Sequence, residues 1–201
     1  MQIILIDASF SYDEQTIIDK INLQISKNGI YTVIGSPKTG KTTLLKGISG
    51  ILPSSSGTVL VGNFRPNSDV HQNLISFWGA KETFYPLMTG FEHITLLAKR
   101  KKRPIQTIFD VSNDLKMINY IDRPVKTYPK GIITRFDLAL SFIDDKPLVL
   151  LDEPFKQIEE DSRVISQNFL KKMAQDKIII TTTTDVADII DSQKVITLNK
   201  S

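Results

Sequence analysis

Gly35-Ser36-Pro37-Lys38-Thr39-Gly40-Lys41-Thr42 is the stretch that decides the fold. It matches G-x-x-x-x-G-K-[ST]. At an average glycine usage of about 7%, a chance match in a chain this long is on the order of one per cent. Its surroundings sharpen the reading. Ile30–Ile34, just before it, is a short strand rich in β-branched residues. Thr42–Ile48, just after it, puts Leu44, Leu45 and Ile48 on one helical face. A glycine-rich turn between a strand and a helix offers backbone N–H groups and a helix N-terminus to a phosphate. Gly35, Ser36, Pro37, Lys38, Thr39, Gly40, Lys41, Thr42 and Thr43 therefore form the candidate phosphate-binding segment. Lys41 is placed for β- and γ-phosphates, and the Thr42 hydroxyl for Mg2+.

Outward from this loop the pattern stays α/β. Gln2–Ala8 and Ile17–Ile25 read as strands, the second with Ile21, Leu23 and Ile25 alternating against Asn22 and Gln24. Thr58–Val61 reads as another strand after the Leu52–Gly57 loop. From about Trp78 to Thr134 short helical patterns are joined by Pro104 and Pro124. The expected division is a core of 1–78 and 136–201, with a small helical insert at about 79–135. Phe136–Ile143 and Ser162–Ala174 read as helices. Pro147–Leu151, Lys177–Thr182 and Val195–Leu198 read as strands, with a short helix near Val186. Continuous apolar strands alternating with helices imply a mostly parallel sheet covered on both faces. The strand ending at Leu151 runs into Asp152-Glu153-Pro154. A carboxylate at that strand end faces the ligand crevice of an open α/β sheet. Asp152 is the candidate holder of Mg2+, and Glu153 the candidate polariser of a water attacking the γ-phosphate.

Composition excludes much else. The chain has 201 residues, 41% hydrophobic and 23% charged, the profile of one globular domain. There is no Cys, which rules out disulfides, thiolate metal sites and a Cys nucleophile. The two histidines, His71 and His93, lie far from any acidic cluster and read as packing or surface residues. Twenty-five Lys+Arg against 22 Asp+Glu leave a net charge of +3. That is too small an excess to argue for nucleic acid. The basic run Lys99–Arg103 carries no interleaved aromatics and reads as a solvated helix end. No apolar run reaches the roughly 18–20 residues of a membrane span. The opening MQIILIDASFSYDE lacks the basic and cleavage features of a signal peptide, so a cytosolic location is expected.

With these motifs in order, the chain resembles the ATP-binding subunit of ABC transporters over nearly its whole length. "FSY" through "IIDKINLQI" resembles the adenine-stacking segment, with Tyr12 as its aromatic platform. "GILPSSSGTVLVG", "FYPLMTGFEHI", "YPKGIITRFDLAL" and "IIITTTTDVADIID" fall where the family has its post-loop stretch, its entry to the helical subdomain, its signature and its switch. The resemblance implies a P-loop NTPase fold with added N-terminal antiparallel strands, with ATP and Mg2+ as ligands. It also implies a head-to-tail dimer with a second ATPase subunit, identical or not, and an integral-membrane permease on another chain. The expected seat is then the cytoplasmic side, peripheral on the inner face of the membrane. Lys130, at a glycine position of the signature, matches the exporting branch and points to an exporter.

Three positions depart from the family pattern. The glutamine that contacts Mg2+ and water falls on Ala80, the signature serine on Pro129 and the switch histidine on Thr184. Ala offers no polar contact, Pro has neither hydroxyl nor N–H, and Thr does not titrate near neutrality. The expected consequence is Mg-ATP binding with slow hydrolysis. The alternative is an ATP-dependent dimerisation or regulatory module with little or no hydrolysis. A small-molecule kinase fits poorly, because the acidic strand comes so far downstream of Lys41 and follows a signature-like segment.

Overall fold

The structure, a computed structural model, describes residues 1–66, 68–79 and 85–199. Its first two strands, β1 (Ile3–Tyr12) and β2 (Gln15–Ile25), form an antiparallel hairpin. Ile3, Leu5, Leu23 and Ile25 point inward, as the alternation requires. Next come β3 (Gly29–Ile34), α1 (Lys41–Ser49) and β4 (Ser56–Val61). β4 returns to the hairpin, giving a three-stranded sheet in the order β2-β1-β4.

The chain continues through α2 (Asp69–Leu74), β5 (Ile75–Trp78), α3 (Gly90–Arg100), α4 (Gln106–Asp114) and α5 (Lys130–Ile143). It ends with β6 (Leu148–Leu151), α6 (Glu160–Met173), β7 (Ile178–Thr183) and β8 (Lys194–Thr197). Between β7 and β8 the expected short helix is a single 3-10 turn, Val186–Asp188. The second sheet is all parallel, in the order β5-β6-β7-β3-β8. The fold is α/β, a parallel sheet with N-terminal antiparallel strands, as the sequence predicts.

The parallel strands are apolar throughout because both of their faces are covered. Leu148, Leu150, Ile178 and Ile180 join a cluster with α1 and the antiparallel sheet. Their neighbours Val149, Leu151 and Ile179 join a second cluster built from α3, α4, α5 and α6. Each residue of β6 thus serves one core or the other, and a one-residue slip would exchange them.

Two expectations change in detail. α5 begins at Lys130, not Phe136, and so runs continuously across the anticipated edge of the insert. α2 was not expected; Ser68 caps it by accepting the His71 N–H. The basic run at the end of α3 is not simply solvated. Lys101 reaches Asp144 at 2.9 Å and Arg103 reaches Asp145 at 2.7 Å, tying the helix end to the turn after α5. No helix among the described residues is long and apolar enough to cross a membrane.

Candidate functional site

The order β6-β7-β3 brings the site together. The phosphate-binding loop leaves β3, the two carboxylates leave β6, and β7 lies between them. With strands about 4.8 Å apart, the two ends sit roughly 10 Å from one another. Side chains bridge that gap. The Thr42 hydroxyl, at the start of α1, donates to Asp152 Oδ2 at 2.7 Å. Thr182 on β7 donates to Asp152 Oδ1 at 2.6 Å. The same Thr182 hydroxyl accepts the Glu153 N–H at 2.8 Å. One buried threonine therefore fixes both the side chain of Asp152 and the backbone of Glu153.

The loop itself is shaped by Gly40, whose φ of 93° is left-handed. A Cβ there would also stand 2.9 Å from Ile18. Only glycine meets both conditions without strain. Lys41 folds back into the loop, its Nζ donating to the carbonyls of Gly35 at 2.8 Å and Ser36 at 3.1 Å. It also lies 3.7 Å from Glu153 Oε1. An ammonium held among carbonyls in an open loop can exchange them for phosphate oxygens.

A cavity of about 910 Å³ opens over these groups. Pro37, Lys38, Gly40, Lys41, Thr42 and Thr43 line its loop side. Asp152, Glu153 and Lys156 line the opposite wall, and Tyr12, Gln15 and Ile17 of the hairpin its far end. Tyr12 is half-exposed there, and the Lys46 ammonium sits 5.7 Å from its ring centre. The remaining members of the predicted segment do not line this cavity. Gly35, Ser36 and Thr39 border a separate hollow of about 450 Å³ on the other side of the loop. Thr39 is buried, its hydroxyl donating to Ser36 O at 3.0 Å, so it shapes the loop from within.

The three departures fall differently. Ala80 lies outside the described residues. Thr184 is exposed and lines the smaller hollow with Gly35, not the larger cavity. Pro129 caps the start of α5, its carbonyl accepting the N–H groups of Ile132 and Ile133. A Cβ on Gly131, two residues further along the signature, would meet Ser162 Oγ at 2.2 Å, so α5 and α6 approach closely there.

Sequence reasoning missed Thr182 and Lys156. A run of four threonines at the end of an apolar strand was the available signal for the first. The pocket lysine gave none, because its partner Glu153 is known only once the turn after β6 is seen. His71 is fully buried on α2, and its Nε2 sits 3.1 Å from Ile48 O. Burial pushes its pKa below the ordinary value, against that hydrogen bond.

The comparisons with known proteins agree with this geometry. The ABC transporter family model matches residues 18–156. The spermidine/putrescine import ATP-binding protein PotA of Clostridioides difficile is 32% identical over 180 residues, 87% of this chain and 52% of its own length. PotA of Bacteroides fragilis is 29% identical, over 81% of this chain and 36% of its own. The lantibiotic transport ATP-binding protein SrtF of Streptococcus pyogenes is 26% identical, over 79% and 71%. The chain thus spans only about a third to a half of the two PotA proteins. Among solved structures, a putative ABC transporter ATP-binding protein from Pyrococcus furiosus superposes with a TM-score of 0.87 at 19% identity, covering 98% of both chains. A dimeric ATP-binding cassette in a post-hydrolysis state with ADP and Pi gives 0.85 at 19% identity, covering 98% of this chain and 94% of that one. Those two likenesses establish the fold, and the family match over residues 18–156, across the loop and both carboxylates, establishes the lineage: the chain belongs to the ABC transporter family, as its ATP-binding cassette.

Proposed function

We propose that this chain binds Mg-ATP in the 910 Å³ cavity and hydrolyses it slowly, energising transport through a separate membrane permease. The observation that carries the reading is the chain of contacts Thr42–Asp152–Thr182–Glu153, which joins the phosphate-binding loop to the carboxylate that faces it.

In this reading the triphosphate lies along the loop from Lys38 to Thr43, and Lys41 leaves the Gly35 and Ser36 carbonyls for phosphate oxygens. Tyr12 stacks on the adenine at the hairpin end. Thr42 and Asp152 would hold Mg2+, since they offer the hard oxygen donors that suit it. Among the described residues no group of three or more His, Asp or Glu could hold a metal alone, which fits an ion that arrives with the nucleotide. When bound, Mg2+ neutralises charge on the β- and γ-oxygens. Glu153 accepts a proton from water as the water oxygen bonds to the γ-phosphorus and the bond to the β-phosphate oxygen breaks, leaving ADP and phosphate.

Slow turnover follows from what the site lacks. Phosphoryl transfer depends on positioning and charge stabilisation. Loss of one stabilising donor costs about 10²–10³ in rate, by analogy with oxyanion holes. Pro129 presents no hydroxyl to a partner's nucleotide, and Thr184, where the family has a titrating imidazole, presents a short hydroxyl to the smaller hollow and none to the cavity. The subunit would act in a head-to-tail dimer with a second ATPase subunit, identical or different, peripheral on the cytoplasmic face of the membrane. The transport direction read from Lys130 is export. Relatives named for import and for lantibiotic transport are both among its kin.

A second reading, an ATP-closed dimerisation module with little hydrolysis, draws support from the engagement of Glu153 by two lysines. Steady-state Mg-ATP turnover by the purified chain and its Glu153→Gln variant decides. The expected result is a measurable rate far below the enzyme median of about 10 s⁻¹, reduced at least tenfold further in the variant. A rate at that median overturns slow hydrolysis. A variant equal to the parent overturns the catalytic role of Glu153 and leaves the binding module.

A further inference from the structure

We propose that Lys156 restrains Glu153, so that hydrolysis is limited by a brake within this chain as well as by residues missing from the dimer. The inference rests on the catalytic reading of Glu153 above.

The turn after β6 sets this up. Glu153 adopts a left-handed φ of 48°, and Lys156 N donates to Glu153 O at 3.1 Å. That tight turn carries the Lys156 side chain back over the Glu153 carboxylate. Lys156 Nζ binds Glu153 Oε2 directly. Lys41 Nζ stands at the other oxygen, Oε1, at 3.7 Å. Both oxygens of the proposed base therefore face an ammonium. The pairing also pushes the Lys156 pKa above its ordinary value, through its hydrogen bond to Glu153.

A carboxylate takes a proton from water only through a free, correctly directed lone pair. Of the two lysines, Lys41 is drawn off by incoming phosphate. Lys156 lies on the other wall of the cavity, three residues from Glu153, and the neighbouring Asp152 carboxylate adds to the attraction that holds its ammonium there. Tethered by that tight turn and held between two adjacent carboxylates, it stays with Glu153 after nucleotide enters. Each turnover then requires the Lys156–Glu153 pair to open. The Lys156 side chain is 62% exposed, so the pair is screened by solvent. Exposed pairs are worth about 0.2–1 kcal/mol, or a factor of roughly 1.5 to 5. That is a modest brake, sensitive to salt.

The test is steady-state hydrolysis at saturating Mg-ATP by the full chain and three variants, Lys156→Ala, Lys156→Arg and Glu153→Gln. Lys156→Ala should raise kcat about 2–5-fold with KM for ATP unchanged. Lys156→Arg, which keeps the charge, should show less than half of that rise. Raising the ionic strength should lift kcat of the parent and not of Lys156→Ala. A fall in kcat, or a KM raised severalfold, would instead make Lys156 a phosphate ligand and overturn the brake; an unchanged kcat overturns it too. Glu153→Gln separates this idea from the one beneath it. If Glu153→Gln alone leaves turnover intact, the catalytic reading of Glu153 fails. If it abolishes turnover but Lys156→Ala gives no rise, the brake alone fails.

Discussion

At the scale of single residues, Thr182 carries more than its type suggests. Its hydroxyl has one proton to give and lone pairs to accept with, and the structure uses both, toward Asp152 and from the Glu153 N–H. Thr182 is fully buried, while Asp152 and Glu153 are half-buried at the cavity wall. Thr182→Val keeps the shape and removes the hydroxyl. It takes the partner from a half-buried Glu153 N–H and frees one Asp152 oxygen to rotate, at a cost of about 1 kcal/mol. The expected outcome is a drop of about tenfold or more in kcat with KM for ATP little changed, plus a melting temperature lower by roughly 2–4 °C per kcal/mol. Thr182→Ser, which restores the hydroxyl, should recover most of the rate. Loss of stability without loss of kcat would show that the threonine is structural only. The position was hidden in the sequence because its partners lie some thirty residues upstream, and nothing in a run of four threonines says which one faces the carboxylates.

At the scale of elements, local signals and long-range packing divide the credit. The loop, its strand and its helix are encoded within one short window, where glycine positions and apolar periodicity agree, and they fold as the sequence predicts. The start of α5 is different. Lys130-Gly131-Ile132-Ile133-Thr134 combines a glycine with β-branched residues, all weak helix formers. Tertiary packing overrides that preference: Gly131 lets α5 close on Ser162 of α6, and Ile132 and Phe136 fill the core. α2 was missed for a related reason, since six residues give too little periodicity to read. What holds α2 in place is His71. Its Nε2–H donates to the Ile48 carbonyl on α1, which leaves Nδ1 as a buried acceptor with no partner among the described residues. Protonation would put a charge and an unpaired N–H there. The folded pKa is accordingly below the unfolded one, so the unfolded chain binds more protons and stability rises with pH. The contribution is complete above the unfolded value near 6.5 and is lost progressively as pH falls below it. Thermal unfolding followed from pH 8 to pH 5.5 should show a declining melting temperature in the parent. In His71→Gln the decline should be shallower, because the titrating ring is gone. Equal slopes would remove His71 as the cause.

At the scale of the whole molecule, the proposed nucleotide cavity is a seam. The hairpin supplies Tyr12, Gln15 and Ile17, the parallel sheet supplies the loop and both carboxylates, and α1 runs between the two sheets. A ligand that touches all three parts stabilises the folded chain without acting on any one element. If ligand binds only the folded state, stabilisation is about 2.7 kcal/mol at a hundred times Kd. For a chain of this size that corresponds to a rise of roughly 5–10 °C in melting temperature. Mg-ATP should produce such a rise. Lys41→Ala should abolish it, and the comparison must be of shifts, since losing the Lys41 bonds to Gly35 and Ser36 also lowers the starting temperature. ATP with a chelator should give a smaller shift than Mg-ATP, because Thr42 and Asp152 then meet no cation. A chelator-insensitive shift would remove those two residues from any metal role while leaving the phosphate-binding loop intact. A shift that survives Lys41→Ala would place the nucleotide elsewhere on the molecule. The Thr182→Val chain should retain the Mg-ATP shift even as its turnover falls, because its hydroxyl orients the carboxylates and lies outside the cavity wall. In the proposed reading binding and hydrolysis are thus separable: the first belongs to the seam as a whole, the second to one strand end held by a neighbouring strand.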